Sequence, residues 1–266
     1  MEPRGRVLIV AGSDSSGGAG IQADVKTVTA LGGYASTAVT ALTAQNTLGV
    51  HGIAPVDPDF VDLQMRVVLE DIGTDAVKTG MLHSRWTIEA VVRRLRTLSR
   101  SVPVVVDPVL LSGTGTPLLD RDGRVALSKH LLPAATLLTP NAPEAAALTG
   151  IEVRSIDDLS HAADRLLLMG PEAVLVKGGH LGGDAVVDLL RTADGFERRF
   201  ESPRIRTRPL HGTGCTLASA IAVGLAEGMT LEGAVQKARD YVRDAILTAP
   251  GYGSGAAVLN HVHSIE

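Results

Sequence analysis

Short compact apolar runs alternate along this chain with longer stretches whose apolar residues recur every three or four positions. Residues 7–11 are the first run, which reads as a buried strand and passes straight into a Gly/Ser loop, Gly12 to Gly20. Over residues 21–31, Ile21, Val25, Val28 and Leu31 share one helical face, and Gly32-Gly33 stops it. Residues 34–42, rich in Ala, Val and Thr, predict the next strand. Residues 59–72 predict a helix with Phe60, Leu63, Val67 and Val68 as its apolar face. Residues 76–78 form a short strand, and 87–98 a helix whose Arg93, Arg94 and Arg96 read as a solvated basic face.

The second half repeats the alternation. Strands are expected at 103–107, 136–139 and 173–176, and helices at 123–132, 142–148 and 156–169. Residues 185–191 and 196–201 read as a hairpin around Ala193-Asp194-Gly195. After His211-Gly212-Thr213-Gly214-Cys215-Thr216 the chain enters an apolar helix, with Leu217, Ile221 and Leu225 four apart. A last helix spans Leu231–Leu247, and an irregular tail follows.

Alternation of this kind, with fully apolar strands, predicts a three-layer α/β/α domain around a mostly parallel sheet. Residues 1–266 are read as a single domain, with no repeat and no linker. In such sheets ligands sit beyond the carboxyl ends of the strands. Those ends carry Gly12-Ser13-Asp14, Gln45-Asn46, Lys78-Thr79-Gly80, Asp107-Pro108, Pro140-Asn141 and Lys177-Gly178-Gly179. One edge of the sheet is therefore expected to be an active site.

Composition narrows the class. A formal charge of −4 without a basic block argues against nucleic acid and against a charged membrane surface. Aromatic residues are only 3%, so the core must be aliphatic. A single cysteine excludes an intrachain disulfide and a four-cysteine zinc site. No apolar stretch approaches the roughly 20 residues that cross a bilayer. A soluble cytoplasmic protein is the expectation.

The candidate chemistry has competing readings. A helix opening with Gly212, Thr213 and Gly214 leaves first-turn N–H groups free, which makes an anion site. Cys215 within that turn is either a small core residue or a thiol whose pKa the helix terminus depresses, competent as a base. Asn141 and Glu144 either cap a helix or serve a magnesium ion beside nucleotide phosphates. Lys177 is a solvated lysine or a point charge on a phosphate. Asp107 is a strand-end turn former or a second acidic group near the metal. Gly18-x-Gly20-x-x-Ala23 matches a dinucleotide fingerprint, but the second strand ends without the acidic residue that fingerprint expects. His51, His83, His130, His161, His261 and His263 read as surface residues.

Taken in order, AGSDSSGGAGIQAD (11–24), TALTAQNT (40–47), KTGML (78–82), VDP (106–108), TPNAPEA (139–145), VKGGH (176–180) and HGTGC (211–215) closely resemble the bacterial hydroxymethylpyrimidine kinase / phosphomethylpyrimidine kinase family of thiamine biosynthesis, within the ribokinase-like superfamily. The resemblance spans nearly the whole chain. It implies ATP and Mg²⁺ as cofactors and two successive phosphorylations, of 4-amino-5-hydroxymethyl-2-methylpyrimidine and then of its monophosphate. It further implies that Gln45 binds the pyrimidine's amino and ring-nitrogen edge. Asp24 and the Gly12 loop would line the substrate pocket, Met81 would pack on the ring, and the Val109 backbone would approach its edge. Asn141, Glu144 and His211 are placed with Mg-ATP, Glu144 and Asp107 with the metal, and Lys177 with the phosphates. Gly212, Thr213 and Gly214 form the anion hole, with Cys215 where sugar kinases of this superfamily carry an aspartate base. A homodimer is expected on the same ground. The rival readings are a pyridoxal kinase or dual-specificity enzyme of the superfamily, a nicotinamide oxidoreductase, and a non-catalytic binding protein.

Overall fold

A computed structural model describes residues 4–113 and 115–265; the first three residues and the last, counted in the single domain above, lie outside the described residues. The elements run β1 (Arg6–Asp14), α1 (Gly20–Ala30), β2 (Tyr34–Asn46), β3 (Gly49–Pro55), α2 (Pro58–Asp71), β4 (Ala76–Thr79), α3 (Arg85–Leu95), β5 (Val104–Val106), α4 (Arg121–Ala126), β6 (Leu137–Leu138), α5 (Ala142–Thr149), α6 (Ile156–Leu167), β7 (Ala173–Val176), β8 (Ala185–Thr192), β9 (Glu197–Pro203), β10 (Leu210–His211), α7 (Thr213–Ala226), α8 (Leu231–Leu247) and β11 (Ala257–Val258).

The main sheet has the order β3-β2-β1-β4-β5-β6-β7-β8-β9. Strands β2, β1, β4, β5, β6 and β7 are parallel, whereas β3, β8 and β9 add antiparallel edges. Alternate strand residues feed two cores. Leu8, Val10, Val77, Val106, Leu138 and Val174 pack with α2, α3 and α6. Val7, Ile9, Val105, Leu137 and Leu175 pack with α1, α7 and α8. This is the expected three-layer α/β/α arrangement, and its near-continuous apolar strands reflect burial on both faces. The strand order reverses direction at β1, so the crevice between the ends of β1 and β4 is the place for a ligand.

Several elements differ from the sequence expectation, each for a physical reason. Strand β3, an exposed edge paired only to β2, lacks an apolar signature. On α2 the buried residues are Val61 and Met65, while Phe60, Leu63 and Val67 face outward. Periodicity marks an apolar stripe but not which layer covers it. Arg94 is not a freely solvated residue, because its guanidinium donates to Asp62 and ties α3 to α2. The expected helix at 123–132 begins as α4 and widens into a looser turn at Leu127–Leu131. The tail is not irregular throughout: β11 pairs with β10 just before α7. His261 is buried there, 3.0 Å from Thr216 Oγ1, and desolvation lowers its pKa to about 4. It is a neutral structural residue rather than a surface one.

Candidate active site

At the end of β1 the pairing with β2 shifts register across Gly12, and this bulge turns the chain into the Gly/Ser loop. The loop folds around its own aspartate. Asp14 accepts from the Ser16 N–H and hydroxyl and from the Ala19 N–H, each at 2.8 Å. Burial works against its charge, but the hydrogen bonds from His211, Ser16 and Ala19 prevail and hold its pKa below the usual carboxylate value. Amides spent on Asp14 are not free to cradle a pyrophosphate, which removes the structural basis of the dinucleotide reading.

The turn before α7 is built on close contact. Gly212 adopts φ 85°, and a Cβ there would run into the Gly18 carbonyl. No side chain caps α7, and the first amide to turn back is that of Thr216, to Gly212 O. Thr213, Gly214 and Cys215 thus present the uncapped end of a buried helix to a cavity of about 340 Å³. That cavity is also lined by Gly12, Gln45, Met81, Val109, Asn141, Glu144, Lys177, Asp107 and His211. The topology therefore brings nearly every residue named from the sequence to one place.

Asp24 is the exception. It is fully buried on α1, where Lys78 Nζ donates to both its oxygens at 2.8 Å and Ser219 Oγ donates at 2.7 Å. Burial disfavours the Lys78 ammonium, yet the Asp24 carboxylate outweighs it and keeps the lysine charged. Asp24 supports the floor of the site and does not line it.

Two further roles change. Cys215 is held as a neutral thiol: desolvation, reinforced by the Asp24 and Asp107 charges, pushes its pKa up to about 12 despite Lys78 and a hydrogen bond from the Gly20 N–H. His211, expected beside Mg-ATP, is engaged instead with the Asp14 loop and with Gln45. Its Nε2 lies 2.8 Å from Asp14 Oδ2 and 3.1 Å from Gln45 Nε2. This contact joins residues 197 positions apart, so nothing local in the sequence announces it.

Asn141 and Glu144 form a capping box on α5. The Glu144 N–H donates to Asn141 Oδ1 at 2.8 Å, and the Asn141 N–H donates to Glu144 Oε2 at 2.9 Å. Oε1 of Glu144 accepts from Leu110 N–H, next to Val109, whose φ of 40° is unusual for a β-branched residue. Capping is thus a real role for both residues, and it also fixes the turn that carries Val109 into the cavity wall.

Lys177 Nζ donates to Asp107 Oδ1 at 3.1 Å, and Thr139 Oγ1 donates to the same oxygen at 3.2 Å. Burial disfavours the lysine's charge, but Asp107 and Glu144 raise its pKa above the ordinary value. Glu144 is itself raised, chiefly by desolvation. Among the described residues no cluster of three or more His, Cys, Asp or Glu is arranged to hold a metal ion. The two carboxylates on the cavity wall nonetheless fit Mg²⁺, which commonly takes one or two carboxylates and completes its shell with water and phosphate oxygens.

A second cavity, of about 360 Å³, adjoins the first. Asn141, Lys177, Thr213 and Gly214 line both. Its far wall is an apolar slot of Val186, Pro203, Ile205, Leu217, Val242 and Ile246. Arg204 organises the connecting loop, donating to the carbonyls of Gly183 and Gly179 at 2.8 Å and to that of Leu181.

A ribokinase-like sheet with two chambers meeting at a lysine and an open helix terminus defines a kinase of small molecules. Within that class, residues 14–260 match the family model described as phosphomethylpyrimidine kinase, and the chain belongs to this family. It is 48% identical over 256 residues to the hydroxymethylpyrimidine/phosphomethylpyrimidine kinase of Streptomyces coelicolor, covering 96% of this chain and 93% of that protein. It is 50% identical over 264 residues to the thiamine biosynthesis bifunctional protein ThiED of Geobacter sulfurreducens, covering 99% of this chain but spanning only 54% of that longer protein. Among solved structures, the pyridoxal kinase of Staphylococcus aureus in complex with ADP superposes with a TM-score of 0.90 at 33% identity, covering 98% of this chain and 94% of that one.

No helix among the described residues is long and apolar enough to cross a membrane.

Proposed function

We infer that this chain transfers the γ-phosphoryl group of ATP to 4-amino-5-hydroxymethyl-2-methylpyrimidine, and then a second phosphoryl group to the monophosphate so formed, in thiamine biosynthesis. The observation that carries this reading is the meeting of two chambers at Lys177 and the first turn of α7. The apolar slot suits a flat adenine, and the chamber holding Gln45, Met81 and Val109 suits a smaller heteroaromatic ring. A triphosphate laid between them brings its terminal phosphorus to the shared wall.

Phosphoryl transfer depends mainly on positioning and on stabilising charge at the equatorial oxygens. Lys177 supplies a fixed positive charge there, and the Thr213, Gly214 and Cys215 amides supply donors. Gln45 orients the ring so that its hydroxymethyl group faces this cradle. Asp107 and Glu144 would hold Mg²⁺ directly or through water. When bound, the ion would neutralise phosphate charge. The neutral thiol of Cys215, partly exposed on the cavity wall, lies beside the reacting hydroxyl, whose proton passes to a phosphoryl oxygen rather than to the thiol.

The same chamber is the natural place for pyridoxal, the substrate named for the Staphylococcus aureus structure, and the two alcohols compete in one test. ADP release is measured with ATP, Mg²⁺ and each alcohol. Turnover with the aminopyrimidine supports the reading, and turnover with pyridoxal alone overturns the substrate assignment.

A second copy of this chain is the partner best suited to the outward face of α2. Phe60, Leu63 and Val67 are exposed there, and the neighbouring edge strand β3 is open to pairing. The single cysteine and the ATP requirement both suit the cytoplasm.

A further inference from the structure

Around Gln45 the hydrogen-bond partners determine more than the shape of the pocket. His211 Nε2 lies 2.8 Å from Asp14 Oδ2 and 3.1 Å from the Gln45 amide nitrogen. Thr43 Oγ1 lies 2.9 Å from the Ser13 carbonyl and 3.1 Å from Gln45 Oε1. A ring nitrogen either carries a proton or offers a lone pair, and a hydroxyl has one proton to give. Asp14 already accepts three hydrogen bonds within its loop and is buried, so it meets the imidazole as a carboxylate acceptor. His211 Nε2 must then carry a proton. That one proton is shared between the Asp14 carboxylate at 2.8 Å and the Gln45 carboxamide at 3.1 Å, where it opposes an amide nitrogen and matches an amide oxygen. At the other end, the Thr43 proton goes to the Ser13 carbonyl, which leaves Thr43 Oγ1 facing Gln45 as an acceptor that needs an N–H. Both mismatches vanish if the carboxamide turns by about 180° about its terminal torsion, since oxygen and nitrogen then exchange places within the same volume.

We propose that Asp14, acting through His211, sets the orientation of the Gln45 carboxamide, with Oε1 toward His211 and Nε2 toward Thr43, and thereby sets which heteroaromatic edges the pocket accepts. Asp14 and His211 are positioning residues in this scheme. The relay uses one amide N–H and one oxygen lone pair of Gln45. The remaining N–H and lone pair face the cavity in a fixed order. That order suits a ring nitrogen acceptor beside an exocyclic amino donor. A ring offering N–H beside a carbonyl in the same positions meets donor against donor and acceptor against acceptor. The cost is that of polar groups left unpaired in a closed site. The inference rests on the proposed function for its substrate class, whereas the protonation pattern it requires belongs to the protein alone.

Asp14→Asn tests the relay by reversing it. An amide at position 14 that turns its nitrogen to His211 Nε2 moves the ring proton to Nδ1 and gives up the acceptor that Asp14 Oδ2 offers the Ala19 N–H. Gln45 then meets a lone pair, turns its nitrogen toward His211 and shows the cavity the opposite order. The readouts are kcat/KM for the 4-amino ring and its 4-oxo analogue, KM for ATP, and ¹⁵N chemical shifts of His211, assigned against His211→Gln. The wild type should carry a proton on Nε2 and prefer the 4-amino ring. In Asp14→Asn the preference should fall by roughly tenfold or more, with KM for ATP unchanged and the proton on Nδ1. A preference that stays put while the tautomer moves overturns the proposal. So does a wild-type His211 protonated only on Nδ1, a result that needs no variant to fold. If the wild type phosphorylates neither ring, the proposed function fails, and the His211 spectrum still decides the relay.

Discussion

Lys177 Nζ donates to Asp107 Oδ1 across 3.1 Å at the wall shared by the two chambers. A cation held by a buried carboxylate, with a second acid in Glu144 nearby, remains charged and fixed before any nucleotide arrives. In the proposed mechanism its donors are therefore aligned in advance with the place where negative charge collects during transfer. Lys177→Met is expected to lower kcat by roughly 10²–10³-fold, the range found when a preorganised donor to a transition state is removed. KM for the alcohol should change little, since the proposed function assigns the alcohol's ring to Gln45, Met81 and Val109. Steady-state kinetics with both substrates varied would check this. A loss seen only in KM for the alcohol would place the lysine elsewhere in the mechanism.

Cys215 provides a pH test. Its folded pKa is pushed up to about 12, above the value of 9.0 for an ordinary thiol. Between those values the unfolded chain releases the thiol proton and the folded chain keeps it. The folded state binds more protons in that window, so stability falls as pH rises from about 9 to 12. Urea unfolding across this range should show a steeper decline for the wild type than for Cys215→Ser. Alkylation by iodoacetamide at neutral pH should be far slower than for a free thiol. Rapid alkylation at pH 7 would restore the thiolate base that the helix terminus alone suggests.

The Lys78–Asp24 pair makes a stability prediction. Both side chains are fully buried. Removing one partner strands the other, so Lys78→Met should destabilise the protein by about 3–5 kcal/mol. Lys78→Met combined with Asp24→Leu should recover much of that loss, because no buried charge remains. Chemical denaturation of the single and double variants measures the difference. Equal losses in both would mean that the pair contributes through packing and not through charge.

Much of this site was legible in the sequence because an α/β sheet gathers its strand ends along one edge. Gly12, Gln45, Asp107, Asn141 and Lys177 could be named together for that reason, Glu144 followed from its spacing to Asn141, the 211–215 turn from its helix terminus, and Met81 and Val109 only from the family resemblance; the structure lines one cavity with all of them. Legibility ended where a role depends on which way a side chain points or on what lies above it. Asp24 sits within the first motif, but its helical position directs it into the core toward Lys78. Cys215 sits at a helix terminus, where a thiol pKa is expected to fall, yet desolvation and the nearby Asp24 and Asp107 charges, which no local pattern announces, push it up. Asp14 is placed by the sequence at the end of the first strand, but its partner, His211, is brought to it only by tertiary folding. Strand β3 is not legible because an exposed edge leaves a weak periodic signal, and the apolar stripe that includes Phe60 does not itself show that Phe60 turns outward on α2.

The exposed stripe on α2 predicts self-association. Phe60→Glu should shift the protein from dimer to monomer in sedimentation equilibrium, with the fold intact by circular dichroism. A wild-type monomer at micromolar concentration would remove the second copy as the partner of this face.

In the proposed function one site carries out both phosphorylations. The most direct test is a time course with the purified chain, excess ATP and Mg²⁺, and 4-amino-5-hydroxymethyl-2-methylpyrimidine, with products resolved by ³¹P NMR. The monophosphate should appear first, pass through a maximum and give way to the diphosphate, with ADP formed in step with each transfer. ATP consumption without either phosphorylated pyrimidine, or no reaction while pyridoxal is phosphorylated under the same conditions, would contradict the account.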